Sequence, residues 1–425
     1  MRATQRRIGS CWRILTLQYR IMLSRTVRLS GARRDWSHYP GLGDVAELQL
    51  FTEIEVVPGQ STYGGGDYAI GGPIWPDYAD QTAARFNRLG RAIDPAPVSM
   101  GYNGRMVNQP CLWGGFAFSH FGHLSAEIVG RVLISVRQRP NDIVLFMVLP
   151  DQKPWHLPGY FWSILQWCGL EVDRVRILTK PLSCRELRVA PQPEQLDFGT
   201  PSPAYLNLLA ENAERNELIP IPHRLLYVTR VGVFDLGKGC HAAESYLVEL
   251  LSKIGATILY PEKTSLRHQL ALYAGAKTIV FAEGSALHGR QLLGWIDQQI
   301  VVINRRMNTK IGGNALAARC AALRYVEATH IQIAAVAANE QDVPASGLSI
   351  YDVERVLSGL LEAGIDLSPH WDQDAYRKAV AVDVSRWIIL MRERPDVFHL
   401  AKTIDRARQA FGAVGMHDML PLLQL

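Results

Sequence analysis

Between residues 224 and 306 the chain alternates short apolar runs with amphipathic ones, and this pattern limits the possible folds more than any other feature. RLLYVTR (224–230), ATILYP (256–261), KTIVFAEG (277–284) and QQIVVINRR (298–306) are short and rich in β-branched residues, as buried strands are. Between them, ESYLVELLSKIG (244–255) and SLRHQLALYAGA (265–276) place apolar residues at helical spacing, and Gly255 closes the first. SALHGRQLLG (285–294) opens a further helix. Strands that alternate with helices bury both faces most simply as a parallel, doubly wound sheet. The first half repeats the pattern less regularly. A helix is expected over 120–138, a strand at NDIVLFMVLP (141–150), a helix near 159–169 and a strand at RVRILTK (174–180). The Gly-rich stretch 58–72 reads as loop and the Pro-rich stretch 191–203 as a linker or domain margin. Beyond about 345 the pattern is helical.

With 425 residues the chain exceeds what one ordinary core serves, so two domains are expected. A net charge of +5 is mild and gives no reason to expect a nucleic-acid partner. Six scattered cysteines with no Cys-x-x-Cys pair suggest free thiols in a reducing compartment and no structural zinc. The basic charge concentrates at the start. Residues 1–34 hold Arg2, Arg6, Arg7, Arg13, Arg20, Arg25, Arg28, Arg33 and Arg34 and no acid. Arg6, Arg13 and Arg20 fall on one side of a possible helix, opposite Ile8, Trp12, Leu15, Tyr19 and Met22. Such a segment fits an anionic membrane surface; a disordered basic arm, an upstream start or a transit peptide are the other readings.

Chemistry is concentrated in a few places. On a helix over 120–138, His120, His123, Glu127 and Arg131 share one stripe, while Phe121, Ile128, Val132 and Val136 share another. A polar stripe with a Glu127–Arg131 i,i+4 pair is ordinarily a solvated face. The second place is the carboxyl end of the 224–230 strand, where Arg230 leads into VGVFDLGKG. The third is Glu283-Gly284-Ser285-Ala286-Leu287-His288, a turn into a helix whose free N–H groups suit a phosphate. Arg230 could add a charge-assisted contact to the same phosphate. Two motifs mislead. Gly232-x-x-x-x-Gly237-Lys238-Gly239 nearly spells a P-loop but lacks the Ser or Thr that holds magnesium, which argues against an ATPase or kinase. Asp372-Gln373-Asp374 spells a metal-binding Asp-x-Asp but opens a helix, where first-turn aspartates suit the dipole.

Taken together, WGGFAFSHFGHLSAEIVGRV (113–132) and the stretch from RLLYVTR to GSALH (224–288) resemble glycosyltransferase family 61, over about residues 110–305. The resemblance implies an α/β fold of two Rossmann-like domains facing a cleft (GT-B-like), with a helical C-terminal region. On that reading 1–34 is a basic segment and 35–215 an acceptor-side domain. Residues 216–345 form a nucleotide-sugar-binding domain and 346–425 a helical region. It implies an inverting transfer from a nucleotide-sugar donor to a glycan or lipid-linked acceptor in surface-polysaccharide (capsule) synthesis. No bound metal and no cofactor are implied. The expected setting is cytoplasmic, peripheral on the inner membrane face. His123 and Glu127 match the family's His and carboxylate and carry the catalytic role, with His120 and Arg131 on the acceptor side. Arg230, Glu244, Gln269, Gly284, Ser285, Ala286 and Leu287 match its donor-side positions. Lys238 stands in for a second arginine, Glu283 replaces a common His, His288 follows the turn, and Ala243 stands where Asn is usual. These departures keep an alternative open: an inactive scaffold that binds a nucleotide sugar or glycan.

Overall fold

A computed structural model describes residues 47–63, 68–76, 98–101, 106–148, 152–194 and 200–424. These lie in one compact unit; the basic segment 1–34 lies outside the described residues. The described fold is mixed α/β, with parallel sheets and helices.

A seven-stranded sheet comes first. It contains β1 (Gln49–Tyr63), β2 (Tyr68–Pro73), β3 (Met106–Val107), β4 (Cys111–Phe116), β5 (Ile143–Met147), β6 (Val175–Leu178) and β7 (Leu182–Val189). Its order is β2-β1-β7-β4-β5-β6, with β3 beside β7. β4, β5, β6 and β7 run parallel, and β1 is antiparallel to β7 and β2. The stretch 58–72 is therefore not a loop, because most of it lies in the β1–β2 hairpin.

The second sheet has five parallel strands: β8 (His223–Val228), β10 (Thr257–Leu259), β11 (Ala276–Ala282), β12 (Ile296–Ile303) and β13 (Cys320–Val326). Their order is β10-β8-β11-β12-β13. The chain order reverses between β8 and β11, and ligands of such sheets sit beyond the carboxyl ends at that point. Successive β8 side chains go to opposite faces. Leu226 and Val228 join one apolar cluster, Leu225 and Tyr227 the other. The first cluster also takes in Val132, Phe146 and Phe161, so the two sheets share a continuous core. The second cluster packs β8, β11 and β12 under the C-terminal helices through Trp387, Ile388 and Phe411.

A small third sheet joins β9 (Cys240–His241) to β14 (Thr329–Val336) and β15 (Asp342–Tyr351). The wholly helical pattern expected beyond 345 thus gives way to strand as far as Tyr351. Helices Val353–Leu361, Gln373–Arg392 and Leu400–Ala413 follow. Asp372 caps the second of these, accepting from the N–H groups of Asp374 and Ala375 at 2.9 and 3.0 Å.

The 191–203 stretch is not a free linker where it is described. Glu194 is buried and its Oε1 lies 2.9 Å from Arg319 Nη2, itself fully buried. No helix among the described residues is long and apolar enough to cross a membrane. The five described cysteines are buried and unpaired.

Candidate active site

The helix after β4 is not uniform. We label it α1: an α-turn Phe121–His123, a π-helical stretch Leu124–Ile128, and a regular α-helix Val129–Gln138. A π turn widens the spiral by one residue and recurs at functional sites. Here it holds Glu127. His120 is the N-cap, its Nδ1 accepting from the His123 N–H at 3.4 Å. His123 Nδ1 stands 3.3 Å from Glu127 Oε2. The His123 side chain is 24% exposed and that of Glu127 only 1%, so the imidazole is the outer member of the pair. Phe118 stacks on His123 with centroids 5.1 Å apart, and the rings of His120 and His123 lie 4.9 Å apart.

The solvated face that the spacing alone favours for Glu127–Arg131 does not form, although His120 at the head of the stripe is exposed. Glu127 and Arg131 are both buried, and Arg131 Nε donates to the carbonyl of Ala190 at 3.1 Å. The segment after β11 covers the part of the stripe on the first turns. Ser285–Leu292 is helical, as expected, and of the 3₁₀ type. It packs against the first turns of α1, and a Cβ built on Gly122 would stand 2.9 Å from His288 Cδ2. His288 is buried, with Nδ1 2.5 Å from Gln291 Oε1. Gln291 Nε2 points to Glu194 Oε2 at 3.5 Å, which turns Oε1 toward the ring. His288 Nδ1 therefore carries the proton and Nε2 the lone pair. Burial, with His123 and His120 nearby, holds its pKa down to about 4.

The 3₁₀ segment begins at Gly284, and four residues at about 2 Å rise separate it from His288 by roughly 8 Å. Strand register brings cations to that end. Val228 pairs with Phe281 and Ala282 with Ile303, so Arg230, Glu283–Gly284 and Asn304–Arg305 end at one level on three neighbouring strands. Arg230 is half-buried. Its Nε and Nη2 donate to the carbonyl of Gly239 at 3.0 and 2.7 Å, and its Nη1 lies over Gly284, 1.9 Å from where a Cβ would be. Ser285 and Ala286 are half-buried beside it and Leu287 is buried.

Other donor-side candidates brace this end. Buried Glu244 takes three donors on Oε1: Tyr227 OH, Thr229 Oγ1 and Arg230 N–H, at 3.0, 2.7 and 2.7 Å. Gln269 Nε2 donates to Pro261 and Thr264 carbonyls, both at 2.8 Å. Glu283 accepts from the backbone N–H groups of Arg305 and Arg306 and pairs with Arg306 Nε at 2.6 Å. Lys238 is exposed. Ala243 sits at φ +58°, a left-handed conformation that Asn enters more readily than Ala. An alanine at this position thus strains the backbone. Arg305, Arg306 and Gln291 were not singled out from the sequence. The two arginines could have been, since NRR directly follows the apolar run of β12 and ends at the same level as Arg230.

The family model described as Glycosyltransferase 61 matches residues 121–290 of the 425. The matched stretch begins at the first turn of α1 and ends two residues past His288, so it contains both elements that meet here. No curated protein matches the chain. Over residues 121–290 the chain is similar to glycosyltransferase family 61, and that similarity supports a glycosyltransferase.

Proposed function

We propose that the protein is an inverting, metal-independent glycosyltransferase. On this reading it moves a sugar from a nucleotide donor to a hydroxyl of a glycan or lipid-linked acceptor in surface-polysaccharide synthesis. The observation that carries the reading is the approach of His123–Glu127 to a 3₁₀ segment that starts at Gly284 beside Arg230. A transfer with inversion needs a base on one side of the anomeric carbon and charge stabilisation of the leaving diphosphate on the other.

His123 is the base in this scheme, because it is the exposed member of the pair. As the acceptor oxygen attacks the anomeric carbon, its proton passes to the imidazole, and Glu127 behind the ring stabilises the imidazolium. The bond from the anomeric carbon to the diphosphate oxygen breaks, and both its electrons leave with the phosphate. Arg230 and the N–H groups at Gly284–Ser285 meet that charge, the work a metal does in other transferases. The two sheets correspond to the acceptor and donor halves of a GT-B arrangement. Residues 1–34, with their arginines, would hold the enzyme at an anionic membrane surface on the cytoplasmic side.

A thermal-shift panel of nucleoside diphosphates and their sugars tests the reading, since a donor that binds only the native state raises the melting temperature by mass action. One nucleotide family is expected to stand out, and transfer from its sugar is expected to survive EDTA. A panel in which nothing stabilises the protein, or transfer that EDTA stops and manganese restores, would contradict it.

A further inference from the structure

Two guanidinium groups flank Gly239, and among the described residues neither makes a salt bridge, although Glu283 lies near Arg305 and Glu244 near Arg230. Arg230 grips the Gly239 carbonyl from one side. A Cβ on Gly239 would stand 2.3 Å from Arg305 Nη1 on the other. Arg305 is 95% removed from solvent, at 5% exposure, yet its Nε has no hydrogen-bond partner. Its Nη1 makes one long contact, 3.3 Å to the carbonyl of Pro344. The nearby carboxylate, Glu283, is taken by Arg306 and by the backbone N–H groups of Arg305 and Arg306. Burial and the charge of Arg230 push Arg305 down to about 10 against the opposing pull of Glu283, so it remains a cation at neutral pH. A buried cation is ordinarily paired, because leaving it unpaired is costly. Here two meet across one glycine, Arg230 at the end of β8 beside the point where the strand order reverses and Arg305 at the end of β12 on the far side of β11, and sheets of this type bind ligands at that point.

We infer that Arg230 and Arg305 form a two-arginine site for a diphosphate group, with Arg305 as its second guanidinium in place of exposed Lys238. The inference rests on the donor reading above only for the nucleoside attached to that diphosphate. The site itself stands on the meeting of the two guanidinium groups across Gly239 and on the buried Nε of Arg305, which has no hydrogen-bond partner. Gly239 is required between them, because a side chain there would drive Arg305 away.

Calorimetric titration of the full chain with inorganic pyrophosphate, beside orthophosphate and uridine, guanosine and adenosine diphosphates, tests the site. Pyrophosphate is expected to bind more tightly than orthophosphate. Arg305→Met is expected to lower its affinity at least tenfold, and Arg305→Lys to recover only part of it. Lys238→Ala is expected to change it less than twofold. The melting temperature without ligand separates this from a structural role. Removing an unpaired buried cation should leave Arg305→Met as stable as wild type or more so, whereas a bracing arginine would lower it. Wild-type affinity in Arg305→Met, a larger loss in Lys238→Ala, or a melting temperature that falls in Arg305→Met would overturn the inference. Pyrophosphate binding lost with Arg305 in a protein that transfers no sugar would keep the anion site and remove the transferase reading.

Discussion

Gly122 lies against His288: a Cβ at residue 122 would stand 2.9 Å from the imidazole Cδ2 and 3.1 Å from His120 Cε1. His288 cannot easily yield, because Gln291 holds its other edge at 2.5 Å. Gly122→Ala is therefore an overpacking change at the contact between α1 and the 3₁₀ segment. Overpacking costs about 1–3 kcal/mol, against which a Gly-to-Ala change in a helix gains about 1. Urea denaturation should show a loss of about 0–2 kcal/mol, while turnover falls well beyond what that loss explains. Wild-type turnover in this variant would mean that the spacing of His120, His123 and His288 does not matter to the chemistry.

At Gly284 the backbone is extended, a conformation open to any residue, so the constraint there is space alone. The neighbour a Cβ would meet is Arg230 Nη1, the far end of a flexible side chain. Gly284→Ala should fold with nearly unchanged stability and displace the guanidinium. Nucleoside-diphosphate binding should weaken by about 1.5–3 kcal/mol, the range for hydrogen bonds to a charged group. Adding Arg230→Ala should then cost little more, since both changes remove one contact. Full additivity in a calorimetric double-mutant cycle would separate the two residues.

Two buried histidines make stability depend on pH. His241 stacks on Tyr351 at 3.9 Å and is pushed down to about 3, first by burial and then by Arg305. His288 is held at about 4, first by burial. Both values lie below the unfolded 6.5, so on acidification the unfolded chain takes up these protons before the native one. Their contribution is whole above pH 6.5 and is lost between 6.5 and 4, with His241 continuing to about 3. By pH 5 each should cost roughly 2 kcal/mol of stability. Urea midpoints at pH 7.5 and 5 check this. His241→Phe should show a smaller drop than wild type, and an equal drop in both would assign the loss to other groups.

The central sheet was legible because its strands are covered on both faces. Continuous apolar runs such as ATILYP and KTIVFAEG admit few other readings, and the carboxyl-end rule led directly to Arg230 and Gly284. The β1–β2 hairpin was not legible, because its glycines imitate a loop. Gly71 and Gly72 are there for packing: a Cβ on Gly72, which sits at φ +99°, would stand 2.8 Å from the Trp113 ring. The burial of Glu127 was hidden for a different reason. Its i,i+4 spacing to Arg131 is also that of a solvated pair, and the 3₁₀ segment that packs on this part of the helix comes about 160 residues later in the chain. The π turn that carries Glu127 has no local signature either. Arg305 and Arg306 looked like the polar end of a strand until pairing showed them level with Arg230.

The account depends most on the His123–Glu127 pair as the group that takes the acceptor's proton. The direct measurement is the single-turnover rate of sugar transfer by Glu127→Gln and His123→Ala, with donor affinity determined on the same preparations. The loss should fall on the chemical step, by about 10²–10⁴ in rate, and be larger for His123→Ala. Donor affinity should stay nearly that of wild type, because the diphosphate is held at the other end of the 3₁₀ segment. Transfer at the wild-type rate in both variants would contradict the account and return the pair to a packing role under Ser285–Leu292.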